Sequence, residues 1–426
     1  MKPNELIARL EAGALQKYCY LYGGDVTAQT ARYVKAVREF AALYGEDREV
    51  FLFSVPGRTE VIGNHTDHNH GRVLAAAIDR DIIAVASPSR ENVVRVRSEG
   101  YSEDRIDLAG CDDPEKQKSF KSGALVAGMC GGFLKYGYKI GGFDAYTTSR
   151  VLKGSGLSSS AAFEVMVGNI LNHLYNDGEV KNEEIAKIAQ YSENVYFGKP
   201  CGLMDQMACA VGGFVYIDFA DPKNPVIEPI SFSLDEAGYV LCIVNTGGNH
   251  ANLNADYASV PQEMKSVAAA LGREVLRGAT EADILAKIPE LRKTQGDRAI
   301  LRALHFVREN ERVADAAACL KRGDLDGFFA DLLASGRSSF QYLQNVYTTQ
   351  NVSEQGLSLA LAVTEGTLAG KGGAFRVHGG GFAGTIQVFV REEEAEAYRA
   401  IPDAIFGDGA AMMLHIRPDG AIKLDV

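Results

Sequence analysis

Between Val151 and Ser160 the chain reads Val-Leu-Lys-Gly-Ser-Gly-Leu-Ser-Ser-Ser, and its clearest amphipathic helix leaves directly from that run. Phe163, Met166, Val167, Ile170, Leu171 and Leu174 fall at i, i+3, i+4, i+7, i+8 and i+11, one face of a helix. A Gly/Ser run in this position either caps the helix or cradles an anion. Glycines let successive backbone N–H groups converge, the helix N-terminus adds the positive end of a dipole, and the serines supply hydroxyls without bulk. No Lys-Ser or Lys-Thr closes a G-x-x-x-x-G run, so this is not a Walker A loop; the nearest imitation, Gly366–Gly372, has the wrong spacing. The formal net charge is −11, which argues against nucleic-acid or anionic-membrane partners and leaves an anionic ligand to a local, backbone-built site.

Two further runs stand out. Gly379-Gly380-Gly381-Phe382-Ala383-Gly384 matches G-x-G-x-x-G in form, but it lies between two strand-like segments rather than between a strand and a helix. It reads as a tight hairpin, or as a loop that lets backbone approach a ligand. Pro56–Gly71 is densely polar between apolar strands, as a binding loop is. His65, Asp67, His68 and His70 could be read as metal ligands, but they are too crowded to reach one centre without a bulge; neutral His, carboxylate and amide together suit a hydroxyl-rich substrate.

Around these runs the chain alternates strands and helices without strict βαβ order, which predicts an α+β protein of 426 residues with more than one domain. Helical residues 1–48 read as an N-terminal extension, 49–232 as one domain and 233–426 as another. Strands are expected near Val50–Val55, Val73–Ala86, Phe143–Thr148, Phe214–Phe219, Tyr239–Val244, Ala374–Val377 and Thr385–Val390, with a loop-rich stretch over Ser98–Lys121. Seven scattered cysteines with no C-x-x-C fit neither a disulfide framework nor a zinc site and point to a reducing cytoplasm. Nowhere do 18 apolar residues run without charge, so no spanning helix is expected.

In this order and at these separations the runs resemble the GHMP small-molecule kinases. Gly154–Ala161 matches the family's G-x-G-L-S-S-S-A phosphate loop, and Arg376–Ile386 is similar to its C-terminal glycine motif. Pro56–Gly71 is similar to the galactokinase signature P-G-R-x-N-x-I-G-E-H-T-D-Y-N-x-G, and Cys201–Gln206 to the segment C-G-I-M-D-Q that carries that branch's catalytic carboxylate. The resemblance spans about residues 50–426. It implies a two-domain fold, the first domain like ribosomal protein S5 domain 2 and the second ferredoxin-like. It implies Asp205 as base with Arg58 beside it, Gly154, Ser155, Gly156, Leu157, Ser158, Ser159 and Ser160 around the phosphates of ATP, and Ser160 with Glu193 on Mg²⁺. Asn64, His65, Thr66, Asp67 and Tyr257 would grip the sugar. The partners implied are a small-molecule sugar and ATP, in a monomer or a dimer.

Departures fall mainly on the sugar motif. Leu152 replaces a Pro and Ala383 a Gly, both conservative; Thr59-Glu60 stands for x-N, Asn64 for the Glu and His68 for the Tyr. Galactose is the expected substrate, with galacturonate or another sugar taken by a 1-kinase of the same family as the alternative, and a non-catalytic sugar sensor that kept the fold as the alternative of another functional class. Arg72 is the nearby cation that could meet a uronate, and Asn64→Glu is expected to preserve or improve galactose phosphorylation.

Overall fold

The protein is described here from a computed structural model covering residues 1–24, 26–151, 156–248 and 253–426. Its contacts divide the chain into two units, Met1–Arg58 with Ala77–Gly213 and Arg417–Val426, and Thr59–Ala76 with Phe214–Ile416. Both are discontinuous, so no single cut near residue 232 separates them.

In the first unit the strand Ile422–Leu424 runs antiparallel to the start of Phe51–Ile62, with Leu52 opposite Leu424. The second half of Arg72–Pro88 pairs antiparallel with Phe143–Ser149, which lies parallel to Val93–Ser98, itself antiparallel to Glu103–Asp107. The last two strands occupy a stretch read from sequence partly as loop. The N-terminal helical extension is part of this unit's core. Leu6 and Leu10 of helix Pro3–Glu11, and Tyr33, Val37 and Phe40 of helix Thr27–Tyr44, pack with Leu52, Val85, Tyr146 and Leu424 of the sheet. Burying these side chains is worth on the order of 2 kcal/mol each, which is what holds two short helices on a sheet.

The chain's last segment is fastened by a buried ion cluster. Asp81 is fully buried and accepts from Ser54 Oγ at 2.5 Å, with Arg417 Nη1 at 3.4 Å and Arg32 on its other oxygen. Burial alone would raise the Asp81 pKa; the two guanidinium groups outweigh it and hold the carboxyl below its usual range.

The second unit carries a four-stranded antiparallel sheet in the order Ala411–Leu414, Tyr239–Asn245, Thr385–Arg391, Ala374–His378. In chain order this is 4-1-3-2, with helix Asn254–Ala270 and the helices that follow it after the first strand and helix Ala395–Phe406 after the third, the βαββαβ arrangement of a ferredoxin-like domain. The glycine run is the turn between the two strands Ala374–His378 and Thr385–Arg391, so the hairpin expectation holds. The stretch read as continuously helical, Glu281–Ser335, is helical in four pieces, Glu281–Ala286, Ile288–Thr294, Asp297–Lys321 and Leu325–Ser338. Among the described residues no helix is long and apolar enough to cross a membrane.

Candidate active site

Each unit gathers part of what the sequence singled out. In the first, Leu152, Lys153, Gly154 and Ser155 lie outside the described residues, and the phosphate-loop reading can be followed from Gly156. Gly156 has φ +74°, and Ser158, the residue before helix Ser159–Tyr175, holds a left-handed φ of +62° that serine rarely adopts. Two contacts fix it there: Ser158 Oγ donates to Asp205 Oδ2, and Arg58 Nη1 donates to the Gly156 carbonyl. Arg58 Nε also donates to Asp205 Oδ1 at 2.8 Å. The Arg58 side chain is 9% exposed and that of Asp205 34%, so the carboxylate is gripped from behind and open on one side. Strand Phe51–Ile62 delivers the arginine, the first turn of helix Met204–Val211 the aspartate, and the sequence brings them together from 147 residues apart.

Glu193 sits where helix Asn182–Tyr191 loosens into a π-helical turn, Ser192–Phe197, a distortion that recurs at functional sites. Its Oε1 accepts from Ser160 Oγ at 3.4 Å and Lys199 Nζ at 3.2 Å, and its Oε2 from Gln206 Nε2 at 2.9 Å. Gln206 Nε2 also reaches Glu164 Oε2 at 3.3 Å. Glu164 is buried, and burial first, then the neighbouring Glu193, pushes its carboxyl well above the usual range. Its Oε1 has no hydrogen-bond partner. The Ser160 hydroxyl, the buried Glu193 carboxylate and the orphaned Glu164 Oε1 are hard oxygen donors of the kind Mg²⁺ takes. No cluster of three or more His, Cys, Asp or Glu able to hold a metal occurs among the described residues, His65–His70 included. Sequence reading missed Glu164, Lys199 and Gln206. The signals were present, since Glu164 lies one turn after Ser160 and Gln206 follows Asp205 directly.

A side chain at Gly156 would both force a left-handed β-branched residue and fill the approach to the N–H groups that follow it. Gly156→Val is therefore expected to raise the ATP Kd at least tenfold while the chain stays folded, with the melting temperature lowered by several degrees at most. Titration calorimetry beside a thermal melt checks this, and unchanged affinity would put the phosphates elsewhere.

In the second unit the sugar-motif residues hold the glycine turn. Asn64 is 1% exposed; its Nδ2 donates to Gly379 O at 2.6 Å and to Glu60 Oε1 at 2.9 Å, and its Oδ1 accepts from Asn345 Nδ2 at 2.6 Å. His65 Nε2 meets Gly380 O at 2.9 Å, and the Tyr257 hydroxyl donates to Gly381 O at 3.0 Å. Three successive carbonyls of the turn are thus each taken by a residue assigned from sequence to the sugar. Thr66 is buried and closes its own loop by donating to Gly63 O and Arg72 O at 2.9 and 2.6 Å. Asp67, half-buried, accepts from the His68 backbone N–H at 2.9 Å. This network corrects the expectation for Asn64→Glu: the new carboxylate would face Glu60 and the Gly379 carbonyl, with no hydrogen to offer either.

Below the loop, His305 Nε2 donates to Asn64 O at 2.9 Å, and its Nδ1 meets Ser338 Oγ at 2.9 Å. Burial lowers its pKa to about 4, with Glu309 opposing that shift and Arg312 and His65 adding to it. A buried histidine that is neutral in the fold but charged when unfolded adds stability above its unfolded pKa of about 6.5, and loses it as pH falls towards 4. The shift corresponds to about 3 kcal/mol. Urea unfolding from pH 7 to 4 should fall less steeply for His305→Gln than for the wild type; equal slopes would show that another group carries the acid sensitivity.

The galactokinase galactose-binding signature is matched by residues 38–88, and the GHMP kinase N-terminal domain by residues 124–213. A galactokinase of Streptomyces coelicolor is 32% identical over 378 residues, covering 87% of this chain and 92% of its own. A human galactokinase is 31% identical over 392 residues, covering 91% and 95%. Among solved structures, Lactococcus lactis galactokinase complexed with galactose aligns with a TM-score of 0.75 at 27% identity over 91% of this chain and 98% of its own. A mevalonate kinase, at 16% identity and TM-score 0.61 over 86% of this chain and 99% of its own, shares the fold.

Proposed function

The chain belongs to the galactokinase family of the GHMP kinases, and from that premise we propose that it transfers the γ-phosphoryl group of ATP to the C1 hydroxyl of galactose, with Asp205 and Arg58 at the reacting centre. The observation that carries the reading is the Arg58–Asp205–Ser158 set at the mouth of the Gly/Ser loop. Phosphoryl transfer is mostly positioning and charge neutralisation, so a site needs an N–H cradle, a cation and one group to orient the nucleophile. The backbone of Gly156–Ser160, running into helix Ser159–Tyr175, would supply the cradle, with Gly154 and Ser155 assigned to it from the sequence motif alone. Ser160 and Glu193 would hold Mg²⁺, which when bound neutralises charge on the phosphates. Asp205 accepts the C1 hydroxyl proton as the new O–P bond forms and the bond to the β-phosphate oxygen breaks, releasing ADP. Arg58 fixes the direction of that carboxylate and offsets charge at the moving phosphoryl group. His65, Asp67 and Tyr257 line the sugar end, and Asn64 and Thr66 support them from within. Seven free thiols suit a reducing cytoplasm.

Galactose rather than galacturonate is favoured by Arg72. Its guanidinium is already paired with Asp218 at 2.9 Å and Glu311 at 3.1 Å, and it donates to Asn310 O at 3.2 Å, so it is not waiting for a uronate carboxylate. An ADP-release assay over a panel of sugars tests the proposal. The expected result is a higher kcat/KM for galactose than for galacturonate; the reverse order overturns it.

A further inference from the structure

Glu60 and Asn64 are four residues apart, nearly fully buried, and hydrogen-bonded to each other at 2.9 Å. The galactokinase signature has an amide at the first of these positions and a carboxylate at the second; this chain has them in the opposite order. The surroundings fit that order. Asn64 Nδ2 serves two acceptors, Glu60 Oε1 and Gly379 O, which a carboxylate at 64 could not do. Glu60 also lies 3.8 Å from Arg376 Nη1, a fully buried guanidinium whose Nε and Nη2 have no hydrogen-bond partner, so the negative charge at 60 offsets a buried positive one. Arg376 Nη1 in turn donates to Val61 O at 3.1 Å, tying strand Ala374–His378 to the segment that leads into the loop.

We propose that Glu60 and Asn64 are one coupled positioning unit, in which the order of acid and amide, rather than either residue alone, sets how the loop Gly63–Gly71 stands on the Gly379–Gly384 turn and so sets affinity for the sugar. The inference rests on the galactokinase reading above. Neither residue takes part in the chemistry; both act through the loop and the turn.

Near-isosteric variants test the coupling without emptying the core. Glu60→Gln keeps an acceptor for Asn64 but removes the charge opposite Arg376, so it should lower the melting temperature while changing the galactose KM by less than about fivefold. Asn64→Asp places two carboxylates together against Gly379 O and should raise that KM at least thirtyfold. The double variant restores a donor and an acceptor with the charge count unchanged, and should recover at least tenfold of that loss; Gly379 O stays unmatched, so recovery is partial. The KM for ATP should stay within about threefold throughout, with thermal melts confirming folding. A double variant no better than Asn64→Asp, or an ATP KM that rises in step with that of galactose, overturns the pair. Wild-type enzyme that turns over no galactose overturns the parent reading and the pair with it, whereas normal turnover with multiplying losses sinks the pair alone.

Discussion

Asp205→Asn should lower kcat by about 10²-fold or more while leaving the ATP Kd within a few-fold of wild type. Asn keeps the size of the side chain, an Oδ1 that can accept from Arg58 Nε and an Nδ2 that can donate to Ser158 Oγ with the serine bond reversed, so the arginine, the serine and the start of helix Ser159–Tyr175 retain their arrangement. What is lost is the capacity to take a proton. A factor of 10² is about 2.7 kcal/mol of transition-state stabilisation, more than one rearranged surface hydrogen bond supplies. In the proposed reading the phosphates are held by backbone N–H groups that the substitution does not touch, which is why binding and turnover should separate. Isothermal titration with ATP and steady-state turnover with galactose, measured on the same preparation, decide it; near-normal turnover removes Asp205 from the mechanism.

The chemistry was legible where a few adjacent residues carry it. Gly156–Ser160 leads into a helix whose apolar period shows in the sequence, and Asp205 lies within one short motif, so local reading could single out both as candidates. The direction of the Asn64 amide was not legible, for the opposite reason. The amide is defined by Gly379 and Asn345, which lie 315 and 281 residues away, and nothing in the loop's own composition says whether a polar side chain turns outward to a ligand or inward to the fold. The division into contact units was not legible for a similar cause, since Thr59–Ala76 sits in one unit while the residues before and after it sit in the other. Strands Val93–Ser98 and Glu103–Asp107 were hard to see because the second alternates charge with a single buried residue, Ile106. Helix Asn254–Ala270 buries Val260, Met264, Val267 and Ala268 at helical spacing, but Pro261 interrupts the pattern.

Gly381→Ala is expected to damage the sugar end of the site far more than Gly379→Ala, although both glycines lie in the same turn with φ near +70°, at +77° and +67°. A Cβ on Gly379 meets nothing within 4 Å, so that variant carries only the cost of a left-handed alanine, about 1 kcal/mol. A Cβ on Gly381 would stand 2.0 Å from the Asn345 carbonyl oxygen and 2.6 Å from its Nδ2. The first of these is backbone and cannot swing aside. The turn must therefore lift, and lifting it stretches Phe382 N–H to Asn345 O, Asn345 Nδ2 to Gly380 O and the Tyr257 hydroxyl to Gly381 O together. Strain, overpacking and loosened hydrogen bonds sum to about 3–5 kcal/mol. At 2–4 °C per kcal/mol for a unit of this size, the melting temperature should drop by about 10 °C. The galactose KM should rise at least tenfold, with the ATP KM nearly unchanged. If the two alanine variants melt together and bind galactose alike, Asn345 does not anchor the turn and the sugar loop is positioned by something else.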